Sequence, residues 1–261
     1  MSAPERDPRL DSNAVSEAAA DAPTDALRTA VVTGASKGLG RVLAGFLTAQ
    51  GYRLVITARG AAELEETRAD LARLSEVVSI VGDVTDAAHR DLVRRAAGPR
   101  VDLLVHNASW LGPSPLPSLS EVEPRAVRDL METNVVAPIA LTQDLLPALR
   151  AARGTIVAVS SDAAVGGYPN WGAYGASKAA LDLVTATWAA ELAAHGVNAV
   201  SVDPGDMRTD MHQAAYPGED ILDRPTPEVT LPFWAWLLER QPEETRGRRF
   251  RAQDDTWDVA V

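Results

Sequence analysis

Tyr174-Gly175-Ala176-Ser177-Lys178 sets a phenol and an ammonium four residues apart. On a helix that spacing puts both on one face, a turn from each other. A neighbouring ammonium favours phenolate over phenol and draws the tyrosine pKa toward working pH. Such a phenol can give a proton to a carbinol oxygen or take one from it. The spacing by itself recurs by chance, so its weight rests on what surrounds it. Ser160 and Ser161 close the preceding strand-like run and supply hydroxyls a short way upstream.

A second chemical cluster opens the chain's regular part. Thr33-Gly34-Ala35-Ser36-Lys37-Gly38-Leu39-Gly40 lies between a β-type run and a helical pattern, with glycines spaced G-x-x-x-G-x-G. Glycines at such a turn let the backbone approach a pyrophosphate, and the helix N-terminus offers it N–H groups. Sites that prefer NAD carry an acid about 20 positions on, for the ribose 2′-hydroxyl. Here the second strand ends Ile56-Thr57-Ala58-Arg59, and no carboxylate follows until Glu63. Arg59 instead offers a guanidinium to a 2′-phosphate, and Lys37 adds a second positive charge. Either cation alone would read as solvent-exposed surface; with the acid missing, the pair points to NADP(H). Asp83, in Gly82-Asp83-Val84, has two readings: a partner for the adenine amino group, or a turn residue ahead of a helix.

These groups need elements to hold them. Strand-like runs at 29–32, 53–57, 77–81, 101–106, 155–160 and 198–202 alternate with helical patterns at 37–50, 61–74, 87–96, 122–150, 174–194 and 227–239. Nearly continuous apolar strands between amphipathic helices imply a parallel sheet covered on both faces, a doubly wound α/β domain of the Rossmann type. The segment 247–251 suits an edge strand, while 254–261 carries no reading. Residues 1–27, rich in Ala, Asp, Ser and Pro, bury too little to offset their ordering entropy, so a mobile tail is expected before a single domain at 28–261.

Composition narrows the partners. The 261 residues carry 25 basic and 36 acidic side chains, a formal charge of −11. That field repels phosphate backbones and anionic lipid, so neither nucleic acid nor membrane is an expected partner. There are no cysteines, which excludes disulfides and thiolate metal sites. His89, His106, His195 and His212 are scattered without metal-ligand spacing, so no metal is expected. No apolar run approaches the ~18 residues of a membrane span, and no secretory layout opens the chain. A cytoplasmic enzyme is the simplest expectation.

With Asn107-Ala108, Asn134, Pro204-Gly205 and Thr209 added in register, the chain resembles the short-chain dehydrogenase/reductase family over residues 29 to 210. The resemblance implies catalytic roles for Asn134, Ser161, Tyr174 and Lys178. Ser161 would polarise a substrate carbonyl and Tyr174 would move the proton as hydride arrives from the nicotinamide. Lys178 would contact the nicotinamide ribose and lower the tyrosine pKa, and Asn134 would hold a water relaying protons to Lys178. The cofactor would meet Gly34, Ser36, Lys37, Gly38, Leu39 and Gly40 in the loop, then Arg59, Asp83 and Val84. Asn107 and Ala108 would shape its crevice, and Pro204, Gly205, Met207 and Thr209 would reach the nicotinamide end beside Tyr174 and Lys178. Three departures stand out: Ser109 where the family has glycine, His106 where it has asparagine, and Asp203 where it has asparagine before Pro-Gly. Asp206 and Asp210 flank Arg208, which is placed to pair with either.

The substrate should lie beyond the C-terminal ends of the strands. Trp110, Tyr168, Trp171, Met211 and His212 fall on loops expected there. They suggest a small carbonyl or alcohol substrate of apolar or aromatic character, though the tryptophans also suit a satellite core under the loops. Phe233-Trp234-Ala235-Trp236 has helical spacing and reads as core or subunit contact. The helices at 122–150 and 174–194 resemble those forming a four-helix interface in the family, which implies a homodimer or homotetramer.

Overall fold

A computed structural model describes residues 27–257; the expected tail lies outside them but for Leu27. Seven parallel strands, β1 (Thr29–Thr33), β2 (Arg53–Ala58), β3 (Val77–Val81), β4 (Leu103–His106), β5 (Thr155–Val159), β6 (Asn198–Asp203) and β7 (Arg249–Arg251), form one sheet. Their order is β3-β2-β1-β4-β5-β6-β7. The order reverses between β1 and β4, which opens a crevice at their C-terminal ends.

The helices are α1 (Gly38–Ala49), α2 (Ala61–Leu71), α3 (Ala87–Ala97), α4 (Pro124–Met131), α5 (Ala137–Ala152), α6 (Gly172–Leu192), α7 (Asp210–Ala215), α8 (Leu231–Leu238) and α9 (Pro242–Thr245). Every residue of β1 is buried, and the reason is the two-residue period of a strand. Ala30 and Val32 pack with Leu39, Leu43 and Leu47 of α1 on one face. Val31 packs with Leu141, Leu145 and Leu149 of α5 on the other. Each fully buried leucine contributes about 1.5–3 kcal/mol, so both helix layers are held firmly to the sheet.

The expected helix at 122–150 is a composite. Pro124 occupies the first position of α4, where its missing N–H costs nothing. A π-helical turn, Glu132–Val136, then joins α4 to α5, and the Ala137 N–H reaches back five residues to the Glu132 carbonyl. Pro138 gives a physical reason for the irregularity: it has no N–H for the Asn134 carbonyl four residues earlier. Contrary to the reading by apolar runs, the composite Pro124–Ala152 is long and apolar enough by length to cross a bilayer; in this fold its apolar stripe packs on the sheet.

The Phe233 group resolves as core. Phe233 and Trp234 are fully buried, and Phe233 meets Phe250 of β7 at 5.7 Å and Trp257 at 5.4 Å. The stretch after β7, which carries no reading from sequence, therefore folds back over α8 as far as residue 257.

Candidate active site

A cavity of about 720 Å³ follows the C-terminal ends of β1 to β6. At its floor the turn after β1 is locked to the turn after β4. The Thr33 hydroxyl accepts the Asn107 and Ala108 N–H groups at 3.0 and 2.9 Å, and Asn107 Nδ2 donates to the Thr33 and Gly34 carbonyls at 2.9 and 3.1 Å. Gly34 has φ +67, and a Cβ there would stand 2.9 Å from the Ala108 Cα. A Cβ on Gly40 would lie 2.3 Å from the Gly34 carbonyl oxygen. Gly40 thus serves close packing and does not line the cavity, a correction to its reading as a cofactor contact; Gly34, Ser36, Lys37, Gly38 and Leu39 do line it.

No side chain caps the N-terminus of α1, so its first N–H groups are left for an anion. With the glycine cradle beneath, this end of the cavity fits a dinucleotide pyrophosphate. Arg59, Asp83 and Val84 continue the wall away from α1. Arg59 is 69% exposed and lies 3.7 Å from Asp83. Asp83 itself closes a turn, accepting the Thr85 N–H at 3.0 Å and the Thr85 hydroxyl at 2.9 Å. Burial acts to raise its pKa, but those two bonds and the charge of Arg59 outweigh it, holding the carboxyl below its ordinary range. Lys37 reaches across the mouth to Asp210 at 2.7 Å. The expected pairing of Arg208 is not the one found: Asp206 meets Arg224 at 3.4 Å and Asp210 meets Lys37.

At the other end α6 brings Tyr174 and Lys178 to the wall, both buried. Lys178 Nζ donates to the Val159 carbonyl at 2.7 Å and sits 5.7 Å from the Tyr174 ring centroid. Burial lowers Lys178 to about 8, with Asp182 opposing. For Tyr174 the expectation of a depressed phenol is corrected. Burial drives it well above the ordinary tyrosine value, with Asp203 and Asp162 adding to the rise and the hydroxyls of Ser109 and Ser161 pulling it back. A phenol is protonated at neutral pH in any case, so burial makes its proton harder to lose without changing the resting form.

Ser161 lines the cavity while its hydroxyl serves the short turn that follows. It donates to Asp162 Oδ1 at 3.1 Å and accepts the Ala163 N–H at 3.2 Å. Asn134 lies behind the wall, fully buried. Its Nδ2 donates to the Trp110 carbonyl and the Ser177 hydroxyl, both at 2.9 Å. Its Oδ1 accepts the Trp110 N–H at 2.8 Å and the Ser109 hydroxyl at 3.2 Å. The side-chain amide is a clamp between the loop after β4 and α6; Pro138 has no N–H to give the Asn134 backbone carbonyl its ordinary helical partner.

Pro204, Gly205, Met207 and Thr209, expected at the nicotinamide, line the cavity, as do Asn107 and Ala108. Among the expected substrate residues, Tyr168, Trp171, Met211 and His212 line the cavity. Trp110 does not: it packs into a satellite core with Leu111, Leu130 and Tyr174. Trp171 stands edge-on to Tyr174 at 5.8 Å and 6.1 Å from Tyr216, which lies 5.0 Å from His212. No group of three His, Cys, Asp or Glu among the described residues could hold a metal. Sequence reasoning missed Asp162, Ser109 as a neighbour of the phenol, and Arg249; their long-range partners leave no local pattern.

The family model for short chain dehydrogenase matches residues 28–220. The chain is 31% identical over 231 residues to the uncharacterised oxidoreductase YciK of Escherichia coli, covering 85% of this chain and 90% of that protein. It is 35% identical over 258 residues to L-xylo-3-hexulose reductase of Hypocrea jecorina, covering 88% and 82%. Among solved structures, a short chain dehydrogenase from Shigella flexneri complexed with NADP is similar at TM-score 0.79, with 30% identity over 87% of this chain and 97% of that one. One from Escherichia coli CFT073 complexed with NADPH is similar at 0.76, with 31% identity over the same shares.

Proposed function

This chain belongs to the short-chain dehydrogenase family of oxidoreductases, and from that premise we propose that it is an NADPH-dependent reductase of an apolar or aromatic ketone or aldehyde. The observation that carries the reading is the buried Tyr174 phenol at the wall of the cavity that Lys178 and Ser161 also line. Two features support NADP(H): Arg59 stands where an NAD site carries an acid, and the relatives complexed with NADP and NADPH share the fold.

Bound NADPH supplies the hydride. The chain's own residues do the rest. Ser161 and Tyr174 hydrogen-bond the carbonyl oxygen and oppose the charge that builds there. Tyr174 gives up its proton to that oxygen, and Lys178 favours the phenolate that is left. Asn134 would hold a water on the path that returns the proton. Trp171, Met211, Tyr216 and Leu111 supply the apolar surface for the substrate. Val136 and Leu183, exposed on the two long helices, support a homodimer or homotetramer through that face.

The test is NADPH absorbance with a panel of aryl ketones, quinones, steroids and polyketide-like carbonyls. Consumption with at least one class, lost in Tyr174→Phe, is the expected result. Turnover that survives Tyr174→Phe unchanged sinks the mechanism, and silence across the panel sinks the substrate class.

A further inference from the structure

Arg249 comes from the three-residue edge strand β7, far along the chain from the catalytic helix, yet it ends among the catalytic residues. Its Nη2 donates to the Ser161 carbonyl at 2.7 Å and to Asp203 Oδ2 at 3.1 Å. Its Nε donates to Asp182 Oδ2 at 3.0 Å. Asp182 lies on α6 one turn beyond Lys178, and Asp203 ends β6 and lines the cavity. The Asp203 side chain is only 4% exposed, and its Oδ1 accepts the Gly205 N–H at 3.0 Å. One guanidinium therefore ties β5, β6 and α6 together directly behind the nicotinamide end.

Asp203 makes this arrangement necessary. A carboxylate this deeply buried needs a partner, and an anion beside a carbonyl being reduced opposes the negative charge that grows on its oxygen. The groups facing Asp203 are Arg249 from β7, Asp162 from the turn after β5, and the Gly205 N–H; Tyr168, on the loop before α6, and Tyr174 of α6 feel its charge, and Asp182 of α6 shares its guanidinium. Arg249 is the cation bonded to it.

We infer that Arg249 is a positioning residue for the reaction: it fixes the backbone of Ser161 and neutralises Asp203, so that charge can develop on the substrate oxygen. The inference rests on the proposed reductase reading for its kinetic test. Burial raises the Asp203 carboxyl and Arg249 opposes that rise, so removing the guanidinium leaves an anion that protonates at higher pH than in the wild type.

The experiment compares wild type, Arg249→Met, Asp203→Asn and the double variant between pH 5 and 9, with NADPH and a ketone turned over by the wild type. Arg249→Met is expected to lower kcat at least tenfold at pH 8 with KM for NADPH changed less than threefold. The ratio of its kcat to the wild-type value should recover as pH falls and Asp203 protonates. The double variant should lose that pH dependence and regain most of kcat, which a merely structural role for Arg249 would not produce. A variant-to-wild-type ratio flat in pH, or a double variant no better than Arg249→Met, overturns the inference. Thermal unfolding gives a readout free of turnover: the Tm deficit of Arg249→Met should shrink as pH falls and be smaller in the double variant. If the wild type reduces nothing, the functional reading fails while the Tm comparison still decides the role of Arg249; a deficit constant with pH then overturns it.

Discussion

Lys178 donates from Nζ to the carbonyl of Val159 at 2.7 Å, anchoring the catalytic helix α6 to the end of strand β5. The ammonium is thus aimed by the sheet and not by Tyr174, whose ring centroid lies 5.7 Å away. Replacing Lys178 with Met should lower kcat by about 10²–10⁴-fold, the range for an acid–base partner, with unfolding temperature checked alongside to separate lost chemistry from lost packing.

Burial also gives Lys178 a signature in stability. Its pKa is about 8 in the fold against 10.5 ordinarily, so between those values the unfolded chain binds more protons. Stability should rise with pH across that window, by about 3 kcal/mol at most. Urea unfolding at pH 7.5 to 10.5 measures it; Lys178→Met should flatten that contribution.

His106 works the same way at acid pH. Burial, with the charge of Lys178 adding, lowers it to about 3, and its Nε2 lies 2.8 Å from the Thr142 hydroxyl. Below its ordinary 6.5 the unfolded chain gains a proton that the fold refuses. Stability should fall from pH 6.5 toward 3 by up to about 5 kcal/mol from this residue. His106→Asn should remove that part of the acid limb, and an unchanged limb would contradict the assignment.

Arg59→Ala should weaken NADP(H) binding about 10- to 100-fold, as expected for one lost charge-assisted bond worth about 1.5–3 kcal/mol, and leave NAD(H) nearly unaffected. Fluorescence titration of both cofactors reads this directly. An equal loss for both would mean that Arg59 acts through Asp83, 3.7 Å away, and not on a 2′-phosphate.

Asn134→Ala removes four hydrogen bonds at once, one buried and three part-buried. Leaving the Trp110 N–H and carbonyl without these partners should cost about 1–3 kcal/mol for each unsatisfied group, while the Ser177 hydroxyl keeps its bond to the Tyr174 carbonyl. Calorimetry should find a lower Tm, and kcat should fall because the loop after β4 carries Ser109 beside the phenol.

Much is legible in the sequence. The order of strands and helices, the glycine turn, Arg59 in place of an acid, and the Tyr174–Lys178 spacing are local patterns, and hydrophobic period and turn chemistry act over a few residues. Lys37 and Arg59, expected at a 2′-phosphate, both line the cavity, but their partners Asp210 and Asp83 were not read from spacing. Trp110 was misplaced because an apolar side chain on a loop suits a pocket and a satellite core equally well; only the packing of Leu111 and Leu130 around it decided between them.

By itself, then, the sequence determined a doubly wound sheet, a dinucleotide turn and a tyrosine–lysine pair on one helix face, because each depends on neighbours along the chain. The tertiary structure alone decided that Tyr174 and Lys178 are buried, that Asn134 clamps two elements, and that Arg249 reaches Ser161 and Asp203. Burial and long-range charge pairing arise only once distant segments share a volume that excludes water, and no local spacing records them.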